Sequence, residues 1–372
     1  MAKTLTLRPL VEVGADTDDL ALAGGPLRYH RCEAVVRDGP HEQARAVVDA
    51  GQAVAWAEGF GLADAARDLL RRLSAERPAF AGLDLWPPRV MGILNITPDS
   101  FSDGGDRLDP QRAIADGLAM RAAGAAILDV GGESTRPGAT PVPVEEELRR
   151  VLPVVAGLAE AGCLVSIDSR RAAVMAAALD AGARIINDVT ALTGDPVSLA
   201  LAARRQTPVI LMHMLGEPQT MQKAPRYDDV PLDVHDFLAA RAAACMAAGI
   251  PPERIAVDPG IGFGKSLAHN LRLLDHLAVL HGLGCALVLG VSRKAFIGRL
   301  TGAEAAKDRL PGSLAAALAG AARGAQIIRV HDAPETVQAL AIWAAIEGEG
   351  AECRTSESHP HPDPPPSRGR GK

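Results

Sequence analysis

The chain has 372 residues, which at roughly 150 per domain allows about two domains, or one α/β barrel of about 250 residues with something smaller attached. Hydrophobic residues make up 48% and charged residues 23%, a globular balance that excludes a disordered chain or a fibre. A net charge of -6 leaves no basic footprint for nucleic acid, so any bound anion must be met by local groups. The five cysteines, Cys32, Cys163, Cys245, Cys285 and Cys353, form no CxxC pair, which argues against a zinc site or a disulfide framework. No apolar run has the length of a membrane span or a signal-peptide core, so a soluble cytoplasmic protein is expected.

Residues 1–88 open with two extended apolar pieces, TLTLRPLVEV and PLRYHRCEAVV. The following HEQARAVVDAGQAVAWAEG and LADAARDLLRRLSAER have helical apolar spacing, so a small amino-terminal α/β extension of unknown role is expected. From residue 89 to residue 348 short apolar runs alternate with alanine-rich helical segments, with glycine or proline at nearly every junction. The runs are RVMGILNIT, AAILDVGG, CLVSIDS, ARIINDV, TPVILMHM, RIAVDPG, ALVLGVS and AQIIRVH. Eight buried strands linked by helices predict a closed parallel (β/α)8 TIM barrel. The absence of GxGxxG after the first run disfavours a doubly wound open sheet. Residues 351–372, AECRTSESHPHPDPPPSRGRGK, combine few apolar groups with a proline run and predict a disordered tail.

Nearly every strand run ends in a polar residue: Asn95, Asp129, Asp168, Asn187, His213, Asp258, the triplet Ser292, Arg293 and Lys294, and Arg329 with His331. In a barrel these ends share the face on which active sites form. Asp129 alone is explained as a helix cap. Asp168, Asn187 and Asp258 sit in or just after apolar runs, where an unpaired carboxylate is costly. They suit a flat heterocycle with a guanidine-like edge, with Lys294 donating from the far side. A divalent metal between Asp168 and Asp258 is the less suited alternative. Arg136, in GGESTRPGATPVP, and Arg329 with His331 form a cationic set for a phosphate or diphosphate. PGIGFGKS misses GxxxxGK[ST] because Pro259 stands where the first glycine belongs; its glycines turn the chain beneath a ligand held by Asp258, and Lys265 reads as a helix-start residue. TPDSFSDGGD and STRPGATPVP have the composition of lids, with Asp103 placed to stabilise positive charge in an electrophile shielded from water. Met91, Met212, Met214 and His213 read as core, and no HxH or HExxH spacing supports a metallohydrolase.

Taken together, MGILNITPDSFSDGG, ILDVGGESTRPGA, VSIDS, IINDV, DPGIGFGK, GVSRKAFIG and RVHD resemble the dihydropteroate synthase family in order and spacing, from Arg89 to Gly348. The resemblance implies a TIM barrel that joins 6-hydroxymethyl-7,8-dihydropterin diphosphate to 4-aminobenzoate with release of pyrophosphate, sulfonamides being aminobenzoate mimics. It implies a pterin pocket of Asp168, Asn187, Met212, Asp258 and Lys294. It implies a diphosphate site of Asn95, Arg329 and His331, with Asn95 also contacting Mg2+, and an aminobenzoate region of Phe101, Thr135, Arg136, Pro137, Ser292 and Lys294. Asp103, Lys294, Arg329 and His331 would be the catalytic groups, and a homodimer is expected. Ser169 stands where the family often has threonine, and the following Arg170 and Arg171 are expected to alter helix capping. Two other readings stay open: a pterin-binding methyltransferase barrel serving a cobalamin partner, and a catalytically idle homologue acting as a subunit.

Overall fold

The computed structural model describes residues 3–12, 19–97, 109–134, 141–217 and 220–356. Five strands open the chain: β1 (Lys3–Leu10), β2 (Leu20–Ala21), β3 (Arg28–Tyr29), β4 (Arg31–Asp38) and β5 (His41–Asp49). β1, β4 and β5 form an antiparallel sheet in that order, and β2 pairs with β3. Helices α1 (Ala53–Glu58) and α2 (Ala63–Ser74) follow. Ala66, Leu69 and Leu73 lie on one stripe of α2 and pack on Leu5, Leu7, Ala34 and Val36 of the sheet. The helical reading of residues 41–49 is corrected: this stretch is β5. Asp38 pairs with His41 across the two-residue loop Gly39–Pro40, whose Gly39 has φ of +58°, so a glycine-first hairpin turn overrode the helical spacing.

The barrel runs β6 (Arg89–Asn95), α3 (Pro110–Ala122), β7 (Ile127–Gly131), α4 (Val144–Glu160), β8 (Val165–Asp168), α5 (Ala172–Asp180), β9 (Ile185–Asp188), α6 (Ser198–Arg205) and β10 (Val209–Met212). It continues α7 (Val230–Ala247), β11 (Ile255–Asp258), α8 (Leu267–Asp275), β12 (Ala286–Gly290), α9 (Ala295–Thr301), α10 (Leu310–Ala321), β13 (Ile327–Val330) and α11 (Ala333–Ser356). All eight strands are parallel, and β13 pairs with β6 to close the ring, which is the expected TIM barrel. α11 extends to Ser356, so the first residues of the expected tail are helical, the first proline beyond them being Pro360. Residues 357–372 lie outside the described residues.

Strand side chains alternate between two cores. Leu128, Val130, Ile167, Ile186, Leu211 and Val257 point outward against the helices. Met91, Ile127, Ile185, Ile210, Ala256 and Ile327 point inward at the barrel floor, where Phe80 and Leu85 join them from below. The residue two positions beyond each floor residue returns to the interior one layer higher. For β7, β9, β11 and β13 these are Asp129, Asn187, Asp258 and Arg329. The amino-terminal unit docks on the barrel flank through paired charges, Arg37 to Asp236 and Arg45 to Asp229, each at 2.8 Å.

Candidate active site

Strand register sets Asp168 beside Asn187, Met212 beside Asp258, and Gly290 beside Arg329. Arg329 spans the interior: its Nε donates to Asp129 Oδ2 and its Nη2 to Asp168 Oδ2, both at 2.6 Å. Asn187 Nδ2 donates to the same Asp129 oxygen at 3.0 Å. Asp129 is fully buried, so the helix-cap reading is corrected; it is the counter-charge that orients Arg329 and the Asn187 amide. Above this layer lies a cavity of about 350 Å³, its open mouth included, lined by Asp168, Asn187, Met212, Asp258, Phe263 and Lys294 among others.

The site holds more carboxylates than it neutralises. Burial pushes Asp168 up to about 7, with Arg329 opposing and Asp129, Asp188 and Glu147 adding to the rise. Burial also raises Asp258, against the Gly260 N–H and the charges of Lys294 and Arg329. A protonated Asp168 cannot accept two N–H donors, so the ligand-binding form is the ionised one. The sign follows: below pH 7 a ligand with a guanidine-like edge must displace a proton, and above it need not. Binding at pH 6 is therefore expected to release a proton to the buffer, and binding at pH 8.5 almost none. Calorimetry in buffers of different ionisation enthalpy measures this; identical proton counts at both pH values would refute it.

Asp258 Oδ1 accepts the Gly260 N–H at 2.7 Å, and Gly260, Gly262 and Gly264 all have positive φ. A Cβ on Gly260 would sit 1.9 Å from the His213 carbonyl oxygen, so no side chain enters here without moving backbone. Gly260→Ala is expected to cost at least about 2 kcal/mol by urea unfolding, from a left-handed backbone and a backbone clash together. An unchanged unfolding midpoint would contradict the steric account. The reading of Lys265 as a helix-start residue is also corrected. Ser266 caps α8 through a capping box with His269, and Lys265 is buried.

At the rim, Lys294 Nζ lies 4.2 Å from the centroid of the Phe263 ring. Ser292 Oγ is 3.1 Å from His331 Nδ1 and accepts the His331 backbone N–H at 3.1 Å. Arg293 bonds Asp332, with Nε to Oδ2 at 3.0 Å. Asn95 stands half-buried at the end of β6. Arg329, expected beside a diphosphate, has Nε and Nη2 committed to carboxylates, which makes it part of the pocket wall as well. Phe101, Asp103, Thr135, Arg136 and Pro137 lie outside the described residues. Arg171 occupies the N-cap position of α5 without a side-chain cap bond, because Arg170 and Arg171 pair with Glu133 at 3.2 Å and Glu147 at 3.0 Å, while Ser169 Oγ accepts the Arg171 N–H at 3.2 Å.

Sequence reasoning missed Asp129, Phe263 and Lys265. For Asp129 the signal was the alternation of ILDVG: Ile127 and Asp129 share a face, as Ile327 and Arg329 do. For Phe263 and Lys265 no such periodicity exists, because a glycine turn places them.

The sequence profile of the family described as pterin binding enzyme matches residues 91–331. Dihydropteroate synthase of Escherichia coli (strain K12) is 49% identical over 261 residues, 70% of this chain and 92% of that protein. A probable bifunctional folylpolyglutamate synthase/dihydropteroate synthase of Haloferax volcanii is 44% identical over 333 residues, 88% of this chain and 39% of that protein. That span exceeds what residues 89–372 supply, so the likeness reaches into the amino-terminal unit. Dihydropteroate synthase of Xanthomonas albilineans, solved with 4-aminobenzoic acid, superposes with a TM-score of 0.68 at 51% identity, covering 72% of this chain and 96% of that one. The same enzyme has been solved in complex with 7,8-dihydropteroate, with a TM-score of 0.65 at 49% identity, covering 71% of this chain and 95% of that one. With that coverage and the interior layer of Asp129, Asp168, Asn187, Asp258 and Arg329, the chain belongs to the pterin-binding enzymes, in the dihydropteroate synthase family.

Proposed function

We infer that this chain condenses 6-hydroxymethyl-7,8-dihydropterin diphosphate with 4-aminobenzoate, giving 7,8-dihydropteroate and pyrophosphate. The observation that carries the reading is the pocket chemistry. Asp168, Asp258 and the Asn187 amide face a space with Lys294 across it, a match for a ring that presents N–H donors on one edge and acceptors on another. Asp168 accepts from the guanidine-like edge. Asp258, held by the Gly260 N–H, accepts from the ring amide region, and Lys294 donates to a carbonyl or ring nitrogen.

Arg329 keeps Nη1 without a hydrogen bond among the described residues, which supports assigning it, with His331 just after the same strand, to the diphosphate. Stabilising the departing charge raises the rate without an enzymatic nucleophile. Among the described residues no group of His, Cys, Asp or Glu is arranged to hold a metal ion. Mg2+ is hard and keeps waters and phosphate oxygens, so one amide oxygen from Asn95 suits an ion that arrives with the diphosphate. When bound, Mg2+ supplies charge neutralisation at the leaving group. Phe101, Thr135, Arg136 and Pro137 belong to the same proposal as the aminobenzoate side, joined by Ser292 on the described rim, and Asp103 as the carboxylate that stabilises positive charge on the pterin electrophile.

A homodimer and a cytoplasmic location complete the reading. Exposed Ile342 and Ile346, four apart on α11, offer an apolar face for a second copy, and no helix among the described residues is long and apolar enough to cross a membrane. The test incubates purified chain with the pterin diphosphate, 4-aminobenzoate and Mg2+ and measures pyrophosphate and dihydropteroate. Stoichiometric formation of both supports the synthase. Pterin binding without either product points to the methyltransferase reading or an idle homologue, which a cobalamin-dependent methyl transfer assay separates.

A further inference from the structure

Lys265 lies in the turn after β11 and is 2% exposed. Its Nζ is 2.9 Å from the Gly260 carbonyl, 3.1 Å from the Phe263 carbonyl and 2.9 Å from His213 Nδ1. An ammonium has three N–H donors and no acceptor, and these three acceptors take them, with the His213 carbonyl a longer 3.4 Å away, provided His213 is neutral with its proton on Nε2. Burial and the charge of Lys265 pull His213 down to about 3, which keeps the ring neutral, and the Nδ1 contact with an ammonium that has only donors requires the Nε2–H tautomer. Burial pulls Lys265 down as well, to about 7, with Asp258 opposing.

Each anchored position carries a group of the pocket. The Gly260 N–H fixes the Asp258 carboxylate, and the Phe263 ring carries the Lys294 amine 4.2 Å from its centroid. His213 directly follows Met212, which lines the cavity, and Lys265 itself does not line it. The turn has three left-handed glycines, so its backbone has little preference of its own and needs an external tie. Asn270 supplies one, accepting the Gly262 N–H at 2.7 Å, but it reaches neither Gly260 nor Phe263.

We propose that Lys265 is the positioning residue of the pterin pocket: its buried side-chain nitrogen fixes the Asp258 acceptor and the Lys294 donor at the spacing the ring requires, without touching the ring. The proposal rests on the pterin reading above and adds a residue outside the binding surface. Such a residue governs affinity for the pterin first, because the Asp258 acceptor and Met212 serve the ring alone and the aminobenzoate region reaches it only through Lys294.

The test compares Lys265→Met with the parent, using steady-state kinetics and calorimetric titration of 6-hydroxymethylpterin. The KM for the pterin diphosphate is expected to rise at least ten-fold, the KM for 4-aminobenzoate to stay within two-fold, and kcat to fall less than the pterin KM rises. A folded variant with parental pterin affinity, or one in which both KM values rise together, overturns the proposal. If circular dichroism shows that Lys265→Met does not fold, His213→Phe decides. It deletes one acceptor and keeps an aromatic ring against Phe237, whose ring centroid lies 5.0 Å away. A loss of pterin affinity of at least three-fold in that variant supports the proposal, and parental affinity overturns it. A parent chain that binds no pterin would instead overturn the functional reading, and this proposal with it.

Discussion

Asp168→Asn is expected to lower pterin affinity by at least a hundred-fold while the barrel stays folded. The amide keeps the shape of the carboxylate but replaces one acceptor oxygen with a donor, which then faces a donor edge of the ring. Hydrogen bonds to charged groups contribute about 1.5–3 kcal/mol each, so the loss of a paired set reaches about 3–5 kcal/mol, roughly two to three and a half decades of affinity. Stability moves the other way. A carboxylate held at about 7 in the folded chain, against its ordinary range near 4, favours folding below that range and loses its contribution as pH rises through 7. At pH 8 the asparagine therefore removes an unfavourable buried charge, and Arg329 keeps Asp129 at 2.6 Å. The variant should melt no lower than the parent at pH 8 while binding pterin poorly. Calorimetry showing pterin affinity within three-fold of the parent would sink the role given to Asp168.

The eight strands were legible because a parallel barrel buries both faces of each strand, and short continuous apolar runs between glycine and proline punctuation, each followed by a helical pattern, fit a parallel sheet and little else. The polar layer was legible for the same reason: Asp168, Asn187 and Asp258 stand out against apolar neighbours. What escaped depends on contacts rather than period. β5 escaped because a two-residue turn, not the pattern of the strand itself, sets its state. Asp129 escaped because a carboxylate at a strand end has an ordinary use as a cap, which outweighed the inward alternation of ILDVG until the contact with Arg329, from β7 to β13 past β6, excluded that use. Lys265 escaped because a lysine beside a helix start is usually solvated; its burial follows from three glycines that fold the turn over it.

Arg329→Met is expected to damage folding and turnover together, with the folding defect dependent on pH. The guanidinium is the bridge between Asp129, fully buried, and Asp168, and its removal leaves two carboxylates with no cation between them. Breaking a buried ion pair from one side costs about 3–5 kcal/mol because the remaining charge stays desolvated. For a chain of this size that lowers Tm by about 4–6 °C. Protonation relieves the penalty, since the freed carboxylates take up protons more readily, so the deficit against the parent should shrink from pH 8 to pH 5.5. Arg329→Lys restores the charge but not the two-edged reach, because an ammonium cannot present two fixed N–H edges to two carboxylates at once. It should recover part of the stability and little of the turnover. A residue that only held the diphosphate would behave differently: its loss would raise the substrate KM and leave Tm unchanged at every pH. Parental Tm at pH 8 in Arg329→Met would therefore reject the bridging role, and a parental KM for the pterin diphosphate would reject the anion role.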